Sequence, residues 1–268
     1  MTRPSITSTT NPQLKAVRRL RRSRVRGHEG VFLAEGRRQL ECALAAGARI
    51  RCVYAAPSLY LGNGDEALVR LAAGGGAEIV ELGADAFESI TGQTRPDGIA
   101  AIVERPPTRL DRLPTGSLLL VAVGIERPGN LGTIVRTAEA AGVAGLLICD
   151  SVTDVVHPET VRGSVGTIFS LPLAEAPRSD ALSWLRGHGF RVVVATPNGE
   201  REVWQGDYRA PRVAVVVGSE RHGVDAEWIA AADETVRIPM SGRADSLNVA
   251  VAAGVVLFEA ARQRATSP

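Results

Sequence analysis

The chain has 268 residues, a formal net charge of +2, and 45% hydrophobic but only 4% aromatic residues. It is long enough for one large or two ordinary domains with real cores. Cys42, Cys52 and Cys149 show no C-x-x-C spacing, and His28, His157, His188 and His222 are scattered, so neither a disulfide framework nor a metal site is expected.

The basic residues Arg3, Lys15, Arg18, Arg19, Arg21, Arg22, Arg24 and Arg26 face a single acid, Glu29, within the first thirty positions. Such a block attracts polyanions or stays a solvated tail, and composition alone leaves both open. Within it Leu14, Val17 and Leu20 form one apolar seam, which predicts an amphipathic helix with arginines on its other faces. The next segments alternate: GVFLAEG as a strand, RRQLECALAAG as a helix closed by Gly47, IRCVYAA as a strand, DEALVRLAAGG as a helix. They end with AEIVEL as a strand, a short helix around ADAFESI, and a strand GIAAIVE. This pattern predicts a small α/β sandwich over residues 1–105, with a basic arm over 1–27. Three prolines in ERPPTRLDRLPTG mark a linker, assigned to 106–116.

Residues 117–268 alternate again. SLLLVAV, GLLICD, RVVVAT and RVAVVV are continuous apolar runs, as expected of strands covered on both faces in a parallel sheet. In such sheets ligands sit beyond the carboxyl ends of strands. Three polar, glycine-bearing motifs begin at such ends: IERPGNLGTIVRTAEAAG, VVVGSERHG and IPMSGRADSLNVAVAAG. The longest apolar run, Val249 to Phe258, is too short to span a bilayer. MTRPSITSTTNPQ has no apolar signal core. A cytoplasmic protein without a membrane partner is expected.

In the first motif Leu131, Ile134, Val135, Ala138 and Ala141 form an apolar helical stripe, and Arg136 points almost opposite it. It is either a solvated arginine or a fixed guanidinium suited to a phosphate. In the second, Gly218 allows backbone to approach a flat ligand. Ser219 suits a helix cap, and Glu220 is either solvated or catalytic. In the third, Ser246-Leu247-Asn248 opens a helix that is apolar nearly all round to Phe258, so it must be buried by sheet, partner subunit or both. Trp184, Trp204 and Trp228 read as packing residues. Lys15, the one lysine, follows Leu14, which excludes a Gly-Lys-Ser/Thr phosphate loop, and no G-x-G-x-x-G argues for a dinucleotide.

The three motifs together resemble those of the SpoU (TrmH-type) family of RNA ribose 2′-O-methyltransferases, and the segments SITSTTNPQLKAVRRL and GVFLAEGRRQLECAL resemble the L30e/L7Ae-like substrate-binding domain of its ribosomal-RNA members. The resemblance covers most of the chain. It implies a trefoil-knotted carboxyl end, a homodimer formed through the catalytic domain, and S-adenosyl-L-methionine as methyl donor. It places catalytic or ribose-positioning roles at Asn130, Arg136, Glu220, Ser246 and Asn248. It places donor binding at Gly218, Ile238 and Leu247, with Met240 and Thr196 completing that set. RNA affinity is expected from Arg18, Arg19, Arg21, Arg22, Arg24 and Arg26 through phosphate neutralisation. The implied substrate is 23S ribosomal RNA, with a transfer-RNA methyltransferase and a non-catalytic RNA-binding protein as alternatives. No residue pattern separates a housekeeping role from protection against ribosome-targeting antibiotics.

Overall fold

The computed structural model describes residues 5–219 and 221–266, the Ser23 side chain excepted. Two compact units divide the chain: one runs to Pro106 and includes Val156–Ser170, and the other comprises Pro107–Val155 with the residues from Leu171 onward.

The first unit begins with Ile6, whose N–H donates to Glu81 and whose carbonyl accepts from Gly83. Helices α1 (Pro12–Arg19) and α2 (Ser23–Glu29) follow, with Asn11 capping α1 through the Gln13 N–H at 2.8 Å. Then come β1 (Val31–Glu35), α3 (Arg37–Ala45), β2 (Ile50–Ala55), α4 (Asp65–Gly74), β3 (Glu78–Glu81), α5 (Ala84–Glu88) and β4 (Ile99–Glu104). The sheet order is β1-β4-β2-β3; β4 runs antiparallel to both its neighbours and β2 parallel to β3.

The predicted arm is not an arm. Leu14, Val17 and Leu20 are 0%, 3% and 7% exposed and join the core of this unit. The seam was correctly read, but a turn after Arg19 splits the expected single helix in two. Arg26 is a correction: its side chain is 1% exposed, and Nη1 donates to the Leu20 and Arg21 carbonyls at 2.8 and 2.7 Å. Those carbonyls are left open where α1 ends, and the buried guanidinium satisfies them instead of reaching solvent. Arg18 is likewise engaged, with Ser89 Oγ at 2.8 Å and the Thr9 carbonyl at 2.9 Å. Arg19, Arg21, Arg22 and Arg24 remain exposed.

The second unit contains β5 (Ser117–Val123), α6 (Pro128–Ala140) and β6 (Gly145–Cys149). The chain then leaves it for α7 (Pro158–Gly163), which packs in the first unit against β1. There Gln39 Nε2 donates to the Val161 carbonyl at 2.9 Å, and Phe169 stacks on Phe32 with centroids 5.9 Å apart. Back in the second unit stand β7 (Leu173–Ala176), α8 (Arg178–Gly187), β8 (Arg191–Ala195), β9 (Arg201–Glu202), β10 (Arg212–Gly218), α9 (Ala226–Ala231), β11 (Glu234–Arg237) and α10 (Val249–Ala265). Among the described residues seven parallel strands lie in the order β7-β6-β5-β10-β8-β11-β9. The four apolar runs are β5, β6, β8 and β10, and they hold its centre. The expected linker is only partly free: Leu113 is 4% exposed and sits in this core.

Register sets the edge that matters. Gly218 pairs with Val123, Val217 with Ala195, and Ala195 with Val236. The chain therefore leaves β5, β8, β10 and β11 along one edge of the sheet. Helix α10 packs on α6 and β10, and a Cβ at Gly254 would stand 3.4 Å from Thr137 Cγ2. Val249, Ala250, Ala253, Val256, Leu257 and Ala260 are buried, whereas Val251, Val255 and Phe258 are 53%, 38% and 55% exposed. The helix thus has one covered and one open apolar face in the single chain. Trp228 is fully buried and Trp184 packs on the core, but Trp204 is 53% exposed, correcting its assignment to packing.

Candidate active site

A cavity of about 930 Å³ opens at the carboxyl edge of β8, β10 and β11. Thr196, Gly218, Ile238, Met240 and Leu247 all line it, as does Ser246. All five residues assigned from the resemblance to donor binding therefore share one space. Its walls mix apolar groups (Val224, Ile229, Met240, Leu247) with polar ones (Thr196, Asn198, Ser246). That suits a ligand with both an apolar chain and a nucleoside.

The walls depend on two close backbone approaches. A Cβ on Gly218 would lie 2.1 Å from the Gly223 carbonyl oxygen, and one on Gly199 would lie 2.2 Å from the Val236 carbonyl carbon. Only glycine lets these segments meet so closely. The 219–223 turn is closed by the Gly223 N–H on the Ser219 carbonyl at 2.9 Å, and by the His222 N–H on Ser219 Oγ at 3.1 Å. Ser219 therefore closes a turn; Asp225 caps the following helix. Thr196 is fixed by its N–H on the Val236 carbonyl at 2.9 Å.

Next to this cavity lies a smaller one of about 380 Å³ lined by Glu126, Arg127 and Asn130, and the two share Ser219, Arg221 and Val249. Asn248 Nδ2 donates to Asn130 Oδ1 at 3.1 Å, while Asn248 Oδ1 accepts the Ala250 N–H at 3.0 Å and caps α10. One side chain thus starts the last helix and ties the third motif to the first. The first loop is held from beneath by Ser151 Oγ on the Ile125 carbonyl at 3.0 Å and Thr153 Oγ1 on the Glu126 carbonyl at 2.6 Å.

Arg136 is exposed on α6, opposite the buried Leu131, Ile134, Val135 and Ala138. It lines neither cavity. It sits six residues beyond Asn130, a rise of about 9 Å along the helix. Among the described residues its guanidinium has no ion-pair or hydrogen-bond partner. Glu220 lies outside the described residues. Sequence reasoning missed Glu126, Arg127 and Arg221, which line the smaller cavity, and His222, which lines the larger one; His222 Nε2 stands 3.9 Å from Glu126 Oε1 and links the first and second loops. Their signal was charge packed tightly beside Pro128-Gly129-Asn130 and Gly218-Ser219. Among the described residues no cluster of metal-ligating side chains occurs. Burial pushes the Cys149 thiol at the end of β6 far up from its ordinary value, with Asp150 adding to the shift.

A parallel sheet whose carboxyl edge carries one cavity shared by distant loops, joined to a smaller mixed-sheet unit, defines a two-domain α/β ligand-binding protein. The model of the SpoU rRNA Methylase family matches residues 117–258, and that of the MRM3-like substrate binding domain matches 11–101. The chain belongs to the SpoU rRNA methylase family. It is 30% identical to the 23S rRNA (guanosine(2553)-2′-O)-methyltransferase RlmP of Bacillus subtilis, over 94% of this chain and 97% of that one. An AdoMet-bound rRNA methyltransferase from Sinorhizobium meliloti superposes with a TM-score of 0.88 at 32% identity, covering 97% of this chain and 98% of its own. AviRb from Streptomyces viridochromogenes, a SpoU methyltransferase in complex with AdoMet, does so with a TM-score of 0.87 at 29% identity, covering 96% and 100%.

Proposed function

We propose that this protein transfers the methyl group of S-adenosylmethionine to a ribose 2′-hydroxyl of 23S ribosomal RNA. The observation that carries the reading is the Asn248–Asn130 hydrogen bond beside a cavity lined by all five expected donor-binding residues. The cavity fits the donor: its volume is that of a site for a ligand of this size, and Gly218 leaves backbone where a Cβ would fill the cradle. Gly218, Ile238, Leu247, Met240 and Thr196 hold the donor. When bound, it supplies a methyl group already activated by its sulfonium.

The chain's own work is orientation. Methyl transfer needs the ribose oxygen in line with the departing sulfur. Asn130, Asn248, Ser246 and Glu220 position the ribose. Arg136 binds the phosphate beside it and favours loss of the hydroxyl proton through its charge; a guanidinium with so high a pKa does not itself accept that proton. The unpaired state of Arg136 among the described residues supports this role, because its charge is not already spent on a carboxylate.

The same reading includes a trefoil knot at the carboxyl end, an L30e-like first unit and action in the cytoplasm. It also includes a homodimer through the catalytic unit. The open apolar face of α10, Val251, Val255 and Phe258, supports the dimer. Among the described residues no helix is long and apolar enough to cross a membrane.

The test is to incubate the protein with labelled donor and unmodified ribosomal RNA and to map the modified ribose. Arg136→Ala is expected to keep donor affinity while turnover falls at least 100-fold, about 2.7 kcal/mol of transition-state stabilisation. Undiminished turnover removes Arg136 from the mechanism, and no label in any ribosomal RNA ends the reading.

A further inference from the structure

The first unit carries a basic notch around Gly92, in the turn after α5, that the donor cavity and its loops do not use. The turn is pinned by Glu35, whose Oε2 accepts from Thr91 Oγ1 at 2.9 Å and from the Gly92 N–H at 2.8 Å. Two guanidinium groups then converge on it. Arg162 Nη1 donates to the Gly92 carbonyl at 3.1 Å, and Arg21 Nη2 donates to the Ile90 carbonyl at 3.2 Å. A Cβ on Gly92 would lie 3.7 Å from Arg162 Nη2, from Arg21 Nη2 and from Glu35 Oε1 alike. The two Nη2 atoms are therefore within about 7.4 Å of each other across an exposed space the size of one methyl group.

We propose that this notch is an RNA-phosphate site, in which Arg21 and Arg162 grip one backbone phosphate and exposed Arg95 extends the contact along the strand. The inference rests on RNA being the substrate and says where the first unit holds it. Each of the two arginines gives one hydrogen bond to a carbonyl, so its plane is fixed while most of its five donors stay available. Neither has an ion-pair partner among the described residues. Two like charges set this close around one carboxylate leave a net positive spot that a phosphate neutralises. A phosphate oxygen pair accepts bonds of about 2.8 Å from both sides at this separation. Gly92 has no side chain, so a nucleic-acid backbone reaches the floor.

The placement of Arg162 is informative. Its sequence position falls inside the match to the methylase family, 117–258, yet α7 folds into the first unit. The segment Val156–Ser170 contributes the second guanidinium that residues 11–101 cannot supply. The notch is thus assembled from both stretches of sequence: the basic N-terminal block supplies Arg21, and Arg162 comes from the excursion.

The experiment uses the full chain and a 23S ribosomal RNA transcript, with affinity measured across a salt series. The double variant Arg21→Ala/Arg162→Ala is expected to bind RNA 10- to 100-fold more weakly at 0.1 M salt. Its log–log salt slope is expected to shrink by about 0.7–0.9, the value of one lost phosphate contact. Gly92→Glu tests the same spot without removing an arginine; its Cβ meets nothing closer than 3.7 Å and the position is exposed, so the backbone is undisturbed and the added carboxylate repels the phosphate. Donor affinity and melting temperature should match the wild type in both. Unchanged RNA affinity and slope in both variants overturn the proposal, as does polyglutamate competing as well as RNA at equal charge. Affinity is read without turnover. Wild-type protein that binds RNA but transfers no methyl group would refute the enzymatic reading, and the two variants would still decide the notch.

Discussion

Gly218→Ala tests whether the donor cavity depends on a backbone contact at the end of β10. The added Cβ would stand 2.1 Å from the Gly223 oxygen, 2.2 Å from the Gly223 carbon and 2.5 Å from the Val224 nitrogen, where ordinary contact begins at 3.4 Å. The Gly223–Val224 backbone must retreat by about 1.3 Å, the gap between those two distances, because no flexible side-chain end is there to yield. Retreat strains the bond from the Gly223 N–H to the Ser219 carbonyl, now 2.9 Å. Overpacking of this kind costs about 1–3 kcal/mol, equivalent to a drop of roughly 2–12 °C in the transition of a unit this size. Where the segment relaxes instead, returning it to shape the cavity costs the same energy and weakens donor binding about 5- to 150-fold. Differential scanning calorimetry and titration calorimetry with S-adenosylmethionine read the two quantities. Gly187→Ala, at the end of α8 where a Cβ meets nothing within 4 Å, is the control and should change stability by less than about 0.5 kcal/mol. A Gly218→Ala protein with wild-type melting and wild-type donor affinity would show that the turn is not packed on β10 as described.

Asn248 separates capping from positioning. Asn248→Ala should cost about 1 kcal/mol of stability through the lost cap, and Asn248→Ser only a few tenths, yet both should lower turnover, because serine is too short to reach Asn130. Full turnover in Asn248→Ser would exclude the cross-motif bond from catalysis. The Glu259 carboxyl is held below its ordinary value, first by its hydrogen bond with Arg262 and then by Gln263. A depressed carboxyl stabilises fully above its unfolded pKa, here near 4.5, and the effect is lost as pH falls through the native value. The stability difference between wild type and Glu259→Gln should therefore be largest at neutral pH and vanish in acid; a difference that grows in acid refutes the assignment. Burial pushes the Cys52 thiol up to about 11 and raises Cys149 further, so a thiol reagent at pH 8 should modify at most Cys42 in the native protein and all three after unfolding. Rapid native labelling of Cys52 or Cys149 would show that these strands are not packed as described.

The alternation of strands and helices was legible because it is local. Runs such as SLLLVAV and RVAVVV need cover on both faces and became β5 and β10 at the centre of the parallel sheet. Short edge strands were not legible: β9 has two residues and β7 four, too few for any period to emerge. The excursion of Val156–Ser170 into the first unit was also hidden. Nothing in ETVRGSVGTIF says which core its apolar residues join; that is decided by long-range contacts such as Gln39 with Val161 and Phe32 with Phe169. The basic block misled for a related reason. Charge counting weighs all arginines alike, but a guanidinium can satisfy backbone carbonyls as well as meet phosphate, and Arg26 does the former beneath the surface. Removing residues 1–27 would strip Leu14, Val17 and Leu20 from the core, so weaker RNA binding in such a truncation would report unfolding of the unit rather than loss of a basic arm.

The site was legible in a different way. Its residues lie in three loops, the first and last joined by residues 118 positions apart, and spacing alone favoured a solvated Arg136 and left Glu220 evenly between a solvated and a catalytic charge. Their convergence follows from the parallel sheet: strands of one direction deliver their following loops to one edge, so Ile125, Thr196, Ser219 and Ile238 come to line two adjoining cavities that share Ser219, whatever their separation in sequence. The side-chain details come from a second constraint, the need to start α10. An N-cap must offer an oxygen to a free N–H of the first turn, and Asn248 does so with Oδ1 toward Ala250. Its amide nitrogen is then left to point away from the helix, where Asn130 receives it. A serine would cap equally well but could not make that second bond. The choice of asparagine is therefore explained by the site and not by the helix, which is why a reading of the helix alone predicted only a capped core element.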